Sequence, residues 1–260
     1  MNLNEGNMKT PRDMNTSASS WFKIWFDTSF YHQLYGHRNE LEAKNFVDNL
    51  LSVLQPSSSA KMLDLGCGAG RHAKHLASKG FRVTGIDLAG SSVQQAKQFE
   101  RGNLQFYQHD MRVPFGRNYF DYVFNFFTSF GYFDTDEEHS KVICNISQSL
   151  KPGGVVMMDY LNVVQASGNV VSEQQKNIDG VEYHISRWMD EKHFFKKITI
   201  DLQSGEPYEY TEKVARLKKS DFERMFEVND LALQGIYGDY DLGDFDINHS
   251  PRLILVAKRR

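Results

Sequence analysis

Residues 61–71 read Lys61-Met62-Leu63-Asp64-Leu65-Gly66-Cys67-Gly68-Ala69-Gly70-Arg71, and this stretch decides the fold. Met62, Leu63 and Leu65 make a short buried strand, Gly66 to Gly70 a glycine-rich turn, and a helical pattern follows from Arg71. Glycines at such a junction let the backbone turn sharply and let a ligand approach bare amides. A glycine turn alone is weak evidence, but strand, turn and helix together form a nucleotide-cofactor site. The spacing is G-x-G-x-G, and Arg71 stands where a dinucleotide fingerprint has its third glycine. Asp64 sits just before the turn. A carboxylate there repels a pyrophosphate, whose anion needs the helix N-terminus and its free amides. It suits an adenosine ligand with an ammonium group and no phosphate, and S-adenosylmethionine is such a ligand.

Outward from this turn, strands alternate with helices. Phe81 to Ile86 is a second strand ending at Asp87. An acid about twenty positions past the glycine turn is placed to accept hydrogen bonds from ribose hydroxyls, with Leu88 beside it. Dinucleotide binders share this feature. Ser91 or Ser92 is the expected N-cap of the next helix. Leu104 to Gln108 is a third strand, followed by His109-Asp110-Met111. Phe120 to Asn125 is a fourth, followed by the aromatic run Phe126 to Tyr132. Its carboxyl end faces the crevice in which open α/β sheets bind ligands. Thr135 and Glu138 form a capping box for a helix with the apolar stripe Val142, Ile143, Ile146 and Leu150. Lys151-Pro152-Gly153-Gly154 stops it before a fifth strand, Val155 to Met158, which runs into Asp159-Tyr160. Three β-rich runs (181–188, 193–202 and 208–217) then read as an antiparallel excursion. A helix with a Ser220–Glu223 capping box and two strands, 231–237 and 252–257, close the chain.

The run Asp64 to Gly70 resembles motif I of the class I S-adenosylmethionine-dependent methyltransferases. Asp87, Asp110 and the Leu150-Lys151-Pro152-Gly153-Gly154 turn extend the likeness over roughly residues 40–260. The resemblance implies an α/β, Rossmann-like, seven-stranded sheet with helices on both faces and an antiparallel last strand. It implies a cofactor site at Asp64, Gly66, Cys67, Gly68, Arg71, Asp87 and Leu88. Asp110 and Met111 would serve the adenine, with Asn125 and Phe126 near the methyl donor. N-terminal Tyr and His residues often face the active site in this family, which makes Tyr31, His32 and Tyr35 substrate candidates. The expected organisation is a disordered tail (1–20), a helical lid (21–56), a cofactor domain (57–164 and 217–260) and an inserted substrate-covering sheet (165–216).

The sulfonium methyl is already activated, so the protein's task is alignment of donor and acceptor. A hydroxyl or ammonium acceptor also needs a base. Asp159, Tyr160 and His184 are the candidates, with His32 a further one. Ser129, Tyr132 and Arg216 are candidate acceptor contacts, Arg216 for a carboxylate. Cys67 reads as a small filler. Asp239, Asp241, Asp244 and Asp246 lack EF-hand spacing and read as an exposed loop, so no metal is expected. The chain has 260 residues, 40% of them hydrophobic, and a net charge of −3, which disfavours a nucleic-acid partner and favours a small-molecule acceptor. Two cysteines make no disulfide framework. A polar first twenty residues and no long apolar run lead to a cytoplasmic protein with no membrane contact. Oligomeric state is left open. Two competing readings remain: an NAD-dependent oxidoreductase, and a non-catalytic S-adenosylmethionine-binding regulator.

Overall fold

The computed structural model describes residues 21–36, 40–202 and 206–260; the expected tail, 1–20, lies outside the described residues. Its centre is β1 (Lys61–Leu65), where every residue after Lys61 is buried. Such continuous burial belongs to a parallel strand covered on both faces. β1 pairs in parallel with β2 (Arg82–Asp87) on one side and β4 (Phe120–Asn125) on the other. With β3 (Leu104–Gln108), β5 (Leu150–Leu161), β10 (Leu231–Tyr237) and β11 (Arg252–Arg259), the seven-stranded order is β10-β11-β5-β4-β1-β2-β3. β11 runs antiparallel to both of its neighbours. Two apolar clusters cover the two faces, one around Phe120, Ile143 and Leu255, the other around Phe46, Leu76 and Phe124. The helices over them are α3 (Glu40–Leu54), α4 (Arg71–Ser78), α5 (Gly90–Lys97), α6 (Asp136–Ser149) and α8 (Lys219–Glu227).

A second sheet, β6-β7-β8-β9, leaves the first after α7 (Val163–Gly168) and is antiparallel throughout. Its strands are β6 (Glu173–Ile178), β7 (Val181–Met189), β8 (His193–Asp201) and β9 (Tyr208–Ala215). β6 is absent from the sequence reading because Glu173 to Ile178 is polar and alternates only between exposed and half-buried positions. The N-terminal helices α1 (Trp21–Trp25) and α2 (Ser29–Tyr35) pack on this sheet through a third core of Trp25, Leu34, Tyr183, Ile185, Ile198 and Ile200. Trp21 and Phe26 belong to the edges of both this core and the main one, so the aromatic run 21–35 bridges the two sheets.

Several helix boundaries move. The aromatic run is two helices, split where the Thr28 side chain caps Tyr31 N–H. α5 starts at Gly90 from an Ala89 N-cap rather than at the serines. α8 is capped from Lys218, whose N–H donates to Asp221 Oδ2 at 2.8 Å, so the box is shifted from Ser220–Glu223. The Leu150–Gly154 turn is part of the long strand β5. Among the described residues, no helix is long and apolar enough to cross a membrane.

Phe106 of β3 sets a packing limit beneath the cofactor turn. A Cβ at Gly85 would lie 2.5 Å from the Phe106 ring and 2.9 Å from Cys67 Sγ, and one at Gly70 would lie 2.6 Å from the same ring. Gly85→Ala is expected to lose about 1–3 kcal/mol of stability through overpacking. Urea unfolding checks this, and Phe106→Leu in the same background should recover part of the loss.

Candidate active site

The glycine turn is held from both sides. Gly66 and Cys67 N–H both donate to Ile86 O, and Gly68 N–H donates to Asp87 Oδ2 at 2.7 Å. The other Asp87 oxygen accepts Ala89 N–H at 2.8 Å. Two of the roughly four lone-pair positions of this carboxylate are therefore used, leaving capacity for hydroxyl donors. Gly68 has φ +53° and nothing within 4 Å of where a Cβ would stand, so its backbone borders open space. Gly70, at φ +81°, is the N-cap of α4, in the left-handed region that glycine enters without strain.

Asp64 does not line that space. It is fully buried, and its Oδ2 accepts Ala73 N–H, in the first turn of α4, at 3.1 Å. Its Oδ1 is buried with no hydrogen-bond partner. Burial pushes the Asp64 carboxyl up to about 7, only partly opposed by the Ala73 amide. Asp87 is raised too, again mainly by burial.

These residues open on a cavity of about 400 Å³ that also takes in Arg71, Asp110, Met111, Phe127, Ser129 and Tyr132. Asp110 is less available than expected. Arg112 donates to it from its main-chain N, Nε and Nη2 at 2.7–3.1 Å, and this pairing holds the carboxyl below the usual range despite partial burial. The cavity is closed by the cap: Phe22, Tyr31, His32 and Tyr35 come from α1 and α2, Phe26 from the turn between them, and Glu212 from β9. The cap is latched to the cofactor turn's neighbour, where Ser91 N–H donates to Asp27 Oδ1 at 2.6 Å and His32 Nε2 lies 3.0 Å from Ser91 Oγ.

An orphaned buried carboxylate oxygen, an open cradle at Gly68 and a half-committed acid at Asp87 fit a ligand with an ammonium and a diol. Comparison with known proteins gives the same direction. Residues 62–154 match the family model described as a methyltransferase domain. The matched stretch runs from β1 through the glycine turn to the start of β5, so this part of the chain is similar to a methyltransferase domain. Among curated relatives, dTDP-3-amino-3,4,6-trideoxy-alpha-D-glucopyranose N,N-dimethyltransferase of Streptomyces venezuelae is 31% identical over 45% of this chain and 48% of its own. The chain spans about half the length of the curated relatives it matches. An S-adenosylmethionine-dependent methyltransferase of Clostridium acetobutylicum superposes with TM-score 0.74 at 17% identity, covering 88% of this chain and 96% of that one. An S-adenosylmethionine-bound amino pentose methyltransferase of Micromonospora echinaspora gives 0.65 at 19% identity, covering 90% and 98%. At these identities the superpositions establish the fold.

The three residues read as bases lie off the cavity wall. Tyr160 is fully buried, its hydroxyl donates to Ala215 O at 2.5 Å, and burial raises its pKa far above the ordinary value. His184 lies on β7 and pairs with Asp201 at 3.4 Å. Asp159 is 1% exposed and is a clamp. Its Oδ1 accepts Arg252 Nε at 2.7 Å, its Oδ2 accepts Phe127 N–H at 2.7 Å and Tyr240 OH at 3.1 Å, and its carbonyl accepts Thr128 N–H at 3.0 Å. Arg252 also donates to Thr128 Oγ1 at 2.8 Å. Phe127 and Thr128 have φ of +62° and +57°, a left-handed conformation that costs non-glycine residues energy. The clamp holds this turn against the cofactor loop, where Ser129 Oγ donates to Phe126 O at 2.8 Å and Gly66 O at 3.3 Å.

Other expected contacts are also redistributed. Asn125 is buried beneath the loop and donates to Leu65 O. Phe126 borders the cavity and stacks on His72 at 4.1 Å. Arg216 donates to the carbonyls of Asp190 and Glu191 and to Ser167 Oγ, so it braces a turn rather than the cavity. Cys67 is buried in the turn, and burial raises its thiol pKa. Asp239 Oδ1 accepts Asp241 and Gly243 N–H, which makes that acidic stretch a turn; among the described residues, no group of acids, histidines and cysteines is arranged to hold a metal. Sequence reasoning missed Glu212 and Arg252. Each sits in an ordinary strand, and only long-range pairing gives it a role.

Asp159→Asn is expected to destabilise the protein by about 3 kcal/mol, the scale for breaking a buried ion pair. Thr128→Gly placed in that variant should recover about 1 kcal/mol by removing the left-handed strain. Urea unfolding of the four-member cycle checks it, and no recovery would mean that the clamp does not offset strain.

A carboxyl raised to about 7 keeps its proton in the folded state where the unfolded chain has lost it. Folded protein then binds more protons between about pH 4 and 7, so this group's contribution to stability falls as pH rises through that window. Asp64→Asn should therefore gain in Tm relative to the parent on going from pH 5 to pH 8. Thermal unfolding of the unliganded proteins at both values measures it.

Proposed function

We propose that this protein transfers the methyl group of S-adenosylmethionine to a small-molecule acceptor enclosed beneath the cap. The observation that carries the reading is the buried Asp64 carboxylate under the glycine turn. Its Oδ2 occupies the Ala73 amide of the helix first turn, where an anionic diphosphate would need donors. Its other oxygen has no partner, so the group favours a cation over an anion from behind the turn, without touching the cavity. This disfavours the nicotinamide-dependent alternative, which shares the sheet and the ribose acid at Asp87. The S-adenosylmethionine-bound structural neighbour and the small-molecule methyltransferases among the relatives support the same cofactor and acceptor class.

The cofactor supplies an activated methyl group. Asp87 would hold the ribose hydroxyls, Gly66 and Gly68 would admit the ligand's backbone-facing edge, and Asp64 would favour its ammonium from behind the turn. Asp110 and Met111 would flank the base, with the adenine relying more on Met111 than Asp110, given the Arg112 pairing. The residues of 21–56 and 165–216 act together as the acceptor cap, since one aromatic core joins them. Tyr31, His32, Tyr35, Ser129 and Tyr132 would surround the acceptor and exclude water, which favours the disappearance of positive charge as the methyl moves.

Isothermal titration is expected to show binding of S-adenosylhomocysteine and none of NAD. Asp87→Ala should weaken that binding by about 1–3 kcal/mol through lost hydrogen bonds to a charged acceptor. NAD binding in its place would overturn the proposal.

A further inference from the structure

One charged cluster at the cavity wall belongs to the cap sheet and stands apart from the glycine turn. Glu212 projects from β9 into the cavity wall, with its side chain 14% exposed. Its Oε1 accepts Trp25 Nε1–H and Tyr35 O–H, each at 2.7 Å. Trp25 is fully buried and packs on Tyr210 at 4.5 Å, so the carboxylate is fixed by a rigid anchor. Lys196, its cross-strand partner on β8, stands 3.7 Å from Oε2 and hydrogen-bonds the Tyr35 hydroxyl. Lys196 is not among the residues lining the cavity, whereas Glu212 and Tyr35 are. The cation therefore balances the buried charge from behind, and the ligand meets the carboxylate.

Beside Glu212 the wall is aromatic. Tyr31 packs at 4.9 Å on Tyr35 and 5.0 Å on Phe26, and Phe26 packs at 5.1 Å on Tyr132; all four line the cavity. A buried ion pair is weak evidence for stability, and charged groups with a specific partner in a cleft are where functional sites are sought. A carboxylate with hydrogen-bonding capacity left on one oxygen, set among ring faces, is the chemistry that binds an ammonium. The cap also hangs over the β4–β5 side of the sheet, where Ala215 N–H donates to Gly131 O and Tyr160 O–H to Ala215 O. The ribose acid Asp87, at the end of β2, holds the glycine turn through Gly68 N–H, a contact in which Glu212 has no part.

We infer that Glu212, oriented by Trp25 and Tyr35, is the recognition carboxylate for an amine-bearing acceptor. This rests on the methyl-transfer reading and narrows its acceptor class. The test uses the full chain saturated with S-adenosylhomocysteine and a matched pair of probes, cyclohexylamine and cyclohexanol, titrated by ligand-observed NMR at pH 7.5. The amine is expected to bind at least tenfold more tightly than the alcohol. Glu212→Gln, which can still accept from Trp25 and Tyr35, should abolish that preference while leaving the dissociation constant of S-adenosylhomocysteine unchanged. Equal binding of the two probes, no binding of either, or a preference that survives in Glu212→Gln would overturn the inference. Failure of the parent protein to bind S-adenosylhomocysteine would instead overturn the methyl-transfer reading itself.

Discussion

A carboxylate with no access to water lies under the first turn of the helix that follows the glycine loop. Asp64 is placed there by β1, whose neighbours β2 and β4 bury it on both sides. One of its oxygens is satisfied by the Ala73 amide and the other is not. An unsatisfied buried charge is expensive, and the protein tolerates it by raising the pKa of the group. The same arrangement selects for a cationic ligand over an anionic one. Loop path, helix start and ligand charge thus follow from one side chain.

Around that site the protein makes its shape with long-range polar ties. Asp87 fixes the glycine turn through the Gly68 amide. Asp159 and Arg252 fix the turn after β4, which in turn rests on Gly66 through Ser129. The two ties come from opposite sides of β1 and converge on five residues of loop. The consequence is a preorganised floor: little of it has to move for a ligand to be held in register with an acceptor. The roof is of another kind. It is joined by ring packing and by a few hydrogen bonds such as Ser91 to Asp27, contacts that can part and re-form more readily than the floor.

The inserted sheet and the N-terminal helices are far apart in sequence yet share one aromatic core. That pairing gives the cavity a wall of a different chemistry from its floor. The floor offers backbone amides and acids suited to an adenosine derivative. The roof offers tyrosine and phenylalanine faces around the oriented carboxylate of Glu212. Division of one cavity between two lobes lets the acceptor end change without disturbing the cofactor end, because among the described residues none of the cap holds the glycine turn's own hydrogen bonds.

By itself the sequence determined the strand–turn–helix at 61–78, the acid at 87, the alternation that builds the parallel sheet and the antiparallel excursion after β5. Each is a local pattern: burial period, glycine placement and cap chemistry act within a few residues. It left β6 unseen, since a polar edge strand carries no alternation of apolar residues. It read Asp159 as a base because an acid beyond a central strand is well placed for one, and the ion partner that ties it down lies 93 positions later. Glu212 looked like any exposed strand residue until Trp25 and Tyr35, 187 and 177 positions earlier, were brought against it. Only tertiary structure decides such roles, because the function of a charged group depends on which partners and how much water the fold leaves it.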